Sequence, residues 1–134
     1  MTNILITGAS QGIGRATAIE AAKKKSFVGI NYSKNSDAAE SCLEAVKSHG
    51  GDGIILKCDV ADNIAVKDMF VKFIDKSGTL DGVFNNAGIT GPISPIQDLD
   101  PADLKLLIDT NAVSYTHLRA HETLRYLVCR LLLE

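Results

Sequence analysis

A glycine-rich segment, TGASQGIG (residues 7–14, here called the glycine turn), is the part of the sequence best suited to chemistry. It follows the apolar run NILIT and precedes the helix-like stretch GRATAIEAAKKK. Glycines in this setting let the chain turn tightly and bring backbone amides against a phosphate, which the positive end of the helix dipole also attracts. Glycines after a strand are also ordinary turn residues, but the strand, turn and helix in succession favour a pyrophosphate site.

The elements that would position the glycine turn alternate regularly along the chain. Four apolar runs predict strands at residues 3–7, 27–31, 53–60 and 80–86. Helices are predicted between them, with Ser36, Asp62 and Asp100 as N-caps. Near-continuous apolar strands separated by crossover helices are typical of a parallel sheet covered on both faces. The prediction is an α/β, doubly wound sheet, truncated after the fourth strand and the helix that follows it.

Composition narrows the class of protein. The chain has 134 residues, a formal charge of −2 and a hydrophobic content of 46 %, as expected for one globular domain. This balance gives no basic surface for nucleic acid. The 3 cysteines form no CxxC pair, which favours a reducing cytoplasm over a disulfide framework or a zinc site. No run approaches the ~20 apolar residues of a membrane span, so no membrane partner is expected.

Three motifs together carry a family resemblance: the glycine turn, CDV at residues 58–60 and NNAG at residues 85–88. With these motifs the chain resembles the classical short-chain dehydrogenase/reductase family over residues 1–111, and 3-oxoacyl-carrier-protein reductases and glucose-dehydrogenase-like members in particular. The resemblance implies a Rossmann-type fold and a nicotinamide cofactor. It also implies hydride transfer with a small ketone or alcohol substrate, and a homo-oligomeric full-length protein.

The resemblance assigns roles to particular residues. Those that would hold the pyrophosphate and the adjacent ribose are Gly8, Ser10, Gln11, Gly12, Ile13 and Gly14. Those that would flank the adenine are Asp59 and Val60, and those that would line the cofactor cleft are Asn86, Ala87 and Gly88. Asn111 matches the asparagine that holds a catalytic lysine through a water molecule in this family. From the residues alone, Asp59 is equally a loop or capping aspartate, the asparagines a polar turn, and Asn111 a helical residue bonded to backbone.

The end of the second strand bears on the choice of cofactor. In NAD-binding proteins an acidic residue at this place accepts a hydrogen bond from the ribose 2′-hydroxyl. The sequence NYSKN (residues 31–35) contains no acidic residue. Ser33 and Lys34 instead offer a hydroxyl and a cation for a 2′-phosphate. NADP is therefore the predicted cofactor, with NAD possible because Gln11 stands where many NADP-preferring relatives carry a basic residue. Lys34 in a merely solvated loop is an equally good interpretation.

The catalytic groups that the resemblance calls for are missing. The family uses a serine, and a tyrosine followed four residues later by a lysine that lowers its pKa. The chain has Ser36, Arg119 and Arg130 four residues after its three tyrosines. Arginine does not replace that lysine simply, because it is bulkier and forked. The chain as written is predicted to be an inactive cofactor-binding fragment; the alternative is a non-catalytic nucleotide-binding module.

The last segment, residues 113–134 (here called the tail), has a different predicted origin. SYTHLRAHET back-translates to TCT TAT ACA CAT CTC CGA GCC CAC GAG AC, the sequence of a transposase-type sequencing-library adapter, and YLVCRLLLE fits the distal part of that adapter. The predicted division is therefore a partial Rossmann domain at residues 1–112 and a non-native tail. His117 and His121, four residues apart with Glu122 adjacent, could suggest a zinc site, but a third ligand is lacking and the order is not HExxH. An amphipathic interaction helix is the remaining alternative.

Overall fold

The computed structural model describes residues 1–122, which form a four-stranded parallel sheet with helices on both faces. The strands are β1 (Asn3–Ile6), β2 (Phe27–Tyr32), β3 (Asp52–Lys57) and β4 (Gly82–Phe84). The α-helices are α1 (Gly12–Lys23), α2 (Ser36–Ser48), α3 (Asn63–Ser77), α4 (Pro101–Ile108) and α5 (Ser114–Glu122). A short 3₁₀ turn (Ile96–Asp98) precedes α4, and a π-type turn (Asp109–Val113) joins α4 to α5.

The strand order is β3-β2-β1-β4, with all neighbours parallel, which confirms the predicted α/β doubly wound sheet. The order reverses between β1 and β4, where the chain crosses from one side of β1 to the other. In open α/β sheets, ligands bind outside the carboxyl ends of the strands at such a switch point. Within residues 1–122, β4 lies at an edge of the sheet.

Two apolar clusters cover the two faces of the sheet. Leu5 and α3 form one cluster, which includes Met69, Phe70 and Phe73 as the helical periodicity predicts. Ile6 with the buried faces of α1 and α2 forms the other. Successive residues of β1 thus enter opposite cores, as the period of two in a strand requires.

The helix starts agree with the sequence patterns at two positions and differ at one. Asp62 accepts hydrogen bonds from the amides of Ile64 and Ala65, and Asp100 caps α4 ahead of a proline. The prediction of Ser36 as the N-cap of α2 is wrong. Asn35 is the cap, because its side chain accepts from the Ala38 amide at 3.0 Å, and the serine becomes the first helical residue.

Three strands end earlier than their apolar runs suggest. β1 stops at Ile6, β3 at Lys57 and β4 at Phe84, and the residues that follow leave the ladder to form loops at the carboxyl edge. These are the loops that a parallel sheet offers to a ligand. The residues predicted at the ends of these strands therefore lie in the loops, and Asp59, Val60 and Asn86 among them line the cleft described below.

The first part of the tail is described and lies against the sheet. Leu118 of α5 is only 2 % exposed and belongs to the cluster formed by Leu5 and α3. Tail residues 123–134, including Tyr126 and Arg130, lie outside the described residues. None of the helices in residues 1–122 is long and apolar enough to cross a lipid bilayer.

Candidate functional site

A cleft of about 570 Å³ opens at the carboxyl edge of the sheet, above the switch point between β1 and β4. Every residue predicted to bind the cofactor lines it except Gly14: Gly8, Ser10, Gln11, Gly12, Ile13, Ser33, Lys34, Asp59, Val60, Asn86, Ala87 and Gly88. The prediction did not include seven further lining residues: Asn31, Tyr32, Asn35, Cys58, Ile89, Leu106 and Thr110. The fold thus brings together segments that lie far apart in the chain.

The glycine turn has the backbone geometry that an anion site needs. Gly8 and Gly12 have φ of +62° and +56°, a region that glycine enters at no steric cost. Gln11 precedes α1 as its N-cap and makes no side-chain capping hydrogen bond, so its side chain satisfies none of the first amides of the helix. Such a helix start attracts a phosphate through its amides and its dipole.

Gly14 is buried under the turn and serves close packing. A Cβ there would lie 2.5 Å from the Gly8 carbonyl oxygen and 2.6 Å from Nδ2 of Asn86. Both atoms are held by other bonds, so no larger residue fits. Gly14 thus packs α1 against the NNAG segment, and its predicted contact with the cofactor stays a prediction.

Asn31 binds the start of the glycine turn from the side of β2. Its Oδ1 accepts from the Gly8 amide at 3.1 Å, and its backbone carbonyl accepts from the Ala9 amide at 2.9 Å. The amide of Gly8 is thus committed to the protein, and this residue shapes the turn. The first amides of α1, by contrast, have no side-chain cap.

Thr7 and Asn86 bind the turn from the side of β4. The Thr7 hydroxyl oxygen accepts from the amides of Asn86 at 2.9 Å and Ala87 at 3.0 Å. In return, Nδ2 of Asn86 donates to the carbonyls of Thr7 at 3.1 Å and Gly8 at 3.2 Å. The NNAG segment and the glycine turn are therefore one hydrogen-bonded unit.

The CDV segment forms the side of the cleft next to β3. Asp59 is exposed, and its Oδ1 accepts from the Ala61 amide at 3.0 Å. One of its oxygens thus stabilises the loop, as expected of a loop aspartate. Cys58 is 4 % exposed. Burial, with a smaller contribution from the Asp59 carboxylate, raises the pKa of the Cys58 thiol to about 12. The thiol is therefore a neutral, apolar lining group at physiological pH.

Asn111 lies in the π-type turn, outside the lining of the cleft, and binds the loop that follows the NNAG segment. Its Oδ1 accepts from the Ile89 amide at 2.8 Å and its Nδ2 donates to the Ile89 carbonyl at 2.8 Å. The side chain thus bonds to backbone of another segment rather than of its own helix. The prediction that this residue holds a catalytic lysine stays a prediction.

Sequence reasoning missed Thr7 and Asn31 as site residues. Both are polar residues at the ends of apolar strands, 1 % and 2 % exposed. A buried polar side chain needs partners, so a polar residue in an apolar run is the signal that was available. Among the described residues, no group of three or more His, Cys, Asp or Glu side chains is placed to hold a metal ion.

Comparison with known proteins places this cleft in a family. The family model described as short chain dehydrogenase matches residues 2–129. The chain is 40 % identical over 108 residues to the 3beta-hydroxysteroid dehydrogenase of Mediterraneibacter gnavus, covering 81 % of this chain and 39 % of the relative. It is 39 % identical over 98 residues to the short-chain dehydrogenase/reductase homolog YusS of Bacillus subtilis, covering 73 % of this chain and 89 % of that relative.

Solved structures give the same result. An NADH-dependent reductase, A1-R′, complexed with NAD superposes with a TM-score of 0.81 at 28 % identity, over 92 % of this chain and 54 % of that one. A 3-ketoacyl-ACP reductase from Sinorhizobium meliloti 1021 superposes with a TM-score of 0.82 at 36 % identity, over 91 % and 47 %. The chain spans about half the length of these structures and less of the steroid dehydrogenase. The match of sequence, sheet order and glycine turn shows that the chain belongs to the short-chain dehydrogenase family.

Proposed function

We propose that the chain is the cofactor-binding part of an NAD(P)-dependent oxidoreductase that transfers hydride between a nicotinamide and a small ketone or alcohol. The observation that carries the proposal is the cleft, where the glycine turn, the CDV segment and the NNAG segment meet at the switch point of the sheet. Family membership and the NAD-bound reductase with the same fold support it.

The residues present fit a dinucleotide. Helix α1 begins without a side-chain cap, which leaves its first amides for a phosphate. Gly12 has open space where a Cβ would be, so a ligand can approach the backbone closely. Buried Cys58 and Val60 give an apolar surface for a base, and exposed Asp59 gives an acceptor for its amino group.

Each segment would have its own part in binding. The glycine turn, through Ser10 and the residues up to Ile13, would hold the pyrophosphate and the adjacent ribose. Asp59 and Val60 would flank the adenine, and the NNAG segment would line the path to the nicotinamide. The bound cofactor supplies or accepts the hydride; the chain's own residues bind and orient it. Asn111 would position a lysine contributed by a longer chain.

NADP is the proposed cofactor, with NAD the second choice. Ser33 and Lys34 are exposed at the mouth of the cleft, beside the Asn35 cap of α2. An exposed cation beside a phosphate contributes about 0.2–1 kcal/mol, which corresponds to roughly 1.4-fold to 5-fold in affinity. Titration calorimetry with both cofactors tests this. Lys34→Ala is expected to weaken NADP and not NAD, whereas Lys24→Ala, an exposed lysine away from the cleft, changes neither.

We further propose that this chain turns over no carbonyl substrate, because it offers no family serine and no tyrosine paired with a lysine. The 134-residue chain is expected to bind a reduced nicotinamide cofactor and to leave its absorbance unchanged with a panel of ketones. Steady turnover that survives mutation of Tyr115 and Tyr126 and vanishes with Asn111→Ala would contradict the proposal. Failure to bind any dinucleotide would refute the binding function itself.

The tail is proposed to be adapter-encoded, and residues 1–112 to be the native part. The back-translation supports this proposal, and the family match that extends to residue 129 argues against it. Sequencing the gene beyond the codon of Asn111 tests it. A reading frame that continues into a serine and a Tyr-x-x-x-Lys pair would support an enzyme fragment.

For that full-length protein we propose a homo-oligomer in the cytoplasm, without nucleic-acid or membrane partners.

A second candidate function is a non-catalytic nucleotide-binding module. The specific observation in its favour is the match with YusS, whose 98 aligned residues cover 89 % of that relative. YusS is therefore only slightly longer than the matched segment. A genuine stop codon soon after Asn111 would favour this module. Dinucleotide binding is expected in both cases, so the two are separated by the gene sequence beyond Asn111 and by turnover of any longer protein that it encodes.

A further inference from the structure

An asparagine lies inside an otherwise apolar strand that borders the cleft. Asn31 is 2 % exposed in β2, between Ile30 and the partly buried Tyr32. Asparagine is disfavoured in strands, and a buried amide costs about 1–3 kcal/mol wherever a partner is missing. A residue of this type at this position therefore needs a compensating role.

The side chain of Asn31 connects three segments. Its Oδ1 accepts from the Gly8 amide at 3.1 Å, in the glycine turn. Its Nδ2 donates to the carbonyls of Leu56 at 3.1 Å and Cys58 at 3.1 Å, at the end of β3 and the start of the CDV segment. One planar amide thus joins the turn to the opposite side of the cleft, across residues that lie 23 and 27 positions away.

We infer that Asn31 is a positioning residue for the cofactor, because its amide sets the spacing between the glycine turn and the CDV segment. The inference rests on the proposed function, in which the turn holds the pyrophosphate and the CDV segment flanks the adenine. A ligand that spans both binds tightly only when both lie at the right separation, whereas each half binds alone without that requirement.

The bonding pattern selects an amide and no similar side chain. Aspartate keeps an acceptor for the Gly8 amide but offers no proton to the two carbonyls when it is ionised. Leucine has a similar size and offers neither. Asn31→Asp therefore cuts the connection on the side of β3 only, and Asn31→Leu cuts it on both sides.

The experiment compares ADP, which spans both sides, with adenosine and inorganic pyrophosphate, which each occupy one. Affinities are measured on the 134-residue chain by ¹H–¹⁵N chemical-shift titration. Asn31→Asp is expected to weaken ADP about tenfold and to change adenosine and pyrophosphate by less than about twofold. Asn31→Leu is expected to weaken ADP at least as much.

Asn3 provides a matched control. It is a strand asparagine, 7 % exposed, whose Nδ2 donates to Thr79 at 2.7 Å and Ser77 at 3.3 Å at the amino edge of the sheet, away from the cleft. Asn3→Asp is expected to lower the free energy of unfolding like Asn31→Asp while leaving the affinity for ADP unchanged. Equal losses of ADP affinity in the two variants would mean that Asn31 acts through stability alone, and would overturn the inference.

A measurement on the unmodified chain covers the case in which the variants do not fold. Hydrogen exchange of the Asn31 side-chain NH₂ group is expected to slow severalfold with ADP and to stay unchanged with adenosine or pyrophosphate. No slowing with ADP, or equal slowing with pyrophosphate alone, overturns the inference and leaves dinucleotide binding standing. Absence of binding of all three ligands to the unmodified chain refutes the proposed function as well.

Discussion

Removal of the Thr7 hydroxyl tests whether the glycine turn and the NNAG segment form one unit. In Thr7→Val the side chain keeps its shape, but the amides of Asn86 and Ala87 lose their acceptor, which lies at 2.9 Å and 3.0 Å. A buried amide without a partner costs about 1–3 kcal/mol. The two bonds are partly buried, so water compensates in part, and we expect a loss of roughly 2–4 kcal/mol in the free energy of unfolding.

Urea unfolding followed by circular dichroism measures this change on the 134-residue chain. Thr7→Ser keeps the acceptor and loses only a methyl group, so it is expected to cost about 1 kcal/mol. Thr17→Val, at a half-buried threonine of α1 whose hydroxyl donates an exposed hydrogen bond to Ile13, is expected to stay within about 0.5 kcal/mol of the unmodified chain. A loss below about 1 kcal/mol for Thr7→Val, or an equal loss for Thr7→Ser, would refute the reasoning.

Three further predictions follow from the packing and from one pKa. Gly14→Ala is expected to abolish dinucleotide binding, because its Cβ would lie 2.5 Å from a backbone oxygen; Gly82→Ala, with open space around it, is the calorimetric control. Leu118→Ala removes a buried side chain and is expected to lower the free energy of unfolding, measured by urea titration, by about 2–5 kcal/mol. Leu104→Ala, at a half-exposed leucine, is expected to lower it far less. Cys58 has a folded-state pKa of about 12 against an ordinary 9.0, so its stabilising contribution is complete below pH 9.0 and declines from there towards about 12. The stability difference between the unmodified chain and Cys58→Ala, measured by urea unfolding across that range, should shrink accordingly; a constant difference would contradict the shift.

The sequence patterns predicted what depends on neighbours along the chain. The amphipathic face of α3, the caps at Asp62 and Asp100, and the strand–turn–helix setting of the glycines are local features, and the structure confirms them. The cap of α2 was predicted one residue too late because Asn35 and Ser36 are both good capping residues. Only the three-dimensional path of the chain decides which of two adjacent residues takes that place.

The patterns could not predict bonds between distant segments. The Thr7 hydroxyl meets the Asn86 amide across 79 positions, and the Asn31 amide meets the Cys58 carbonyl across 27. The first pair exists because β1 lies beside β4 in the sheet, and the second because β2 lies beside β3. Hydrophobic periodicity predicts that strands form and leaves their spatial order open, so these residues could be recognised only as polar positions in apolar runs.

Three asparagines hold the segments that surround the cleft. Asn31 holds the glycine turn from β2, Asn86 holds it from β4, and Asn111 holds the loop after the NNAG segment through Ile89. Each asparagine uses a side-chain amide to bind backbone of another segment. A side-chain amide both donates and accepts, so it matches the two groups that backbone exposes where strands end. Replacement of any one by its acid removes the donor that bonds to backbone, which predicts the same direction of effect at all three positions: looser segments around the cleft.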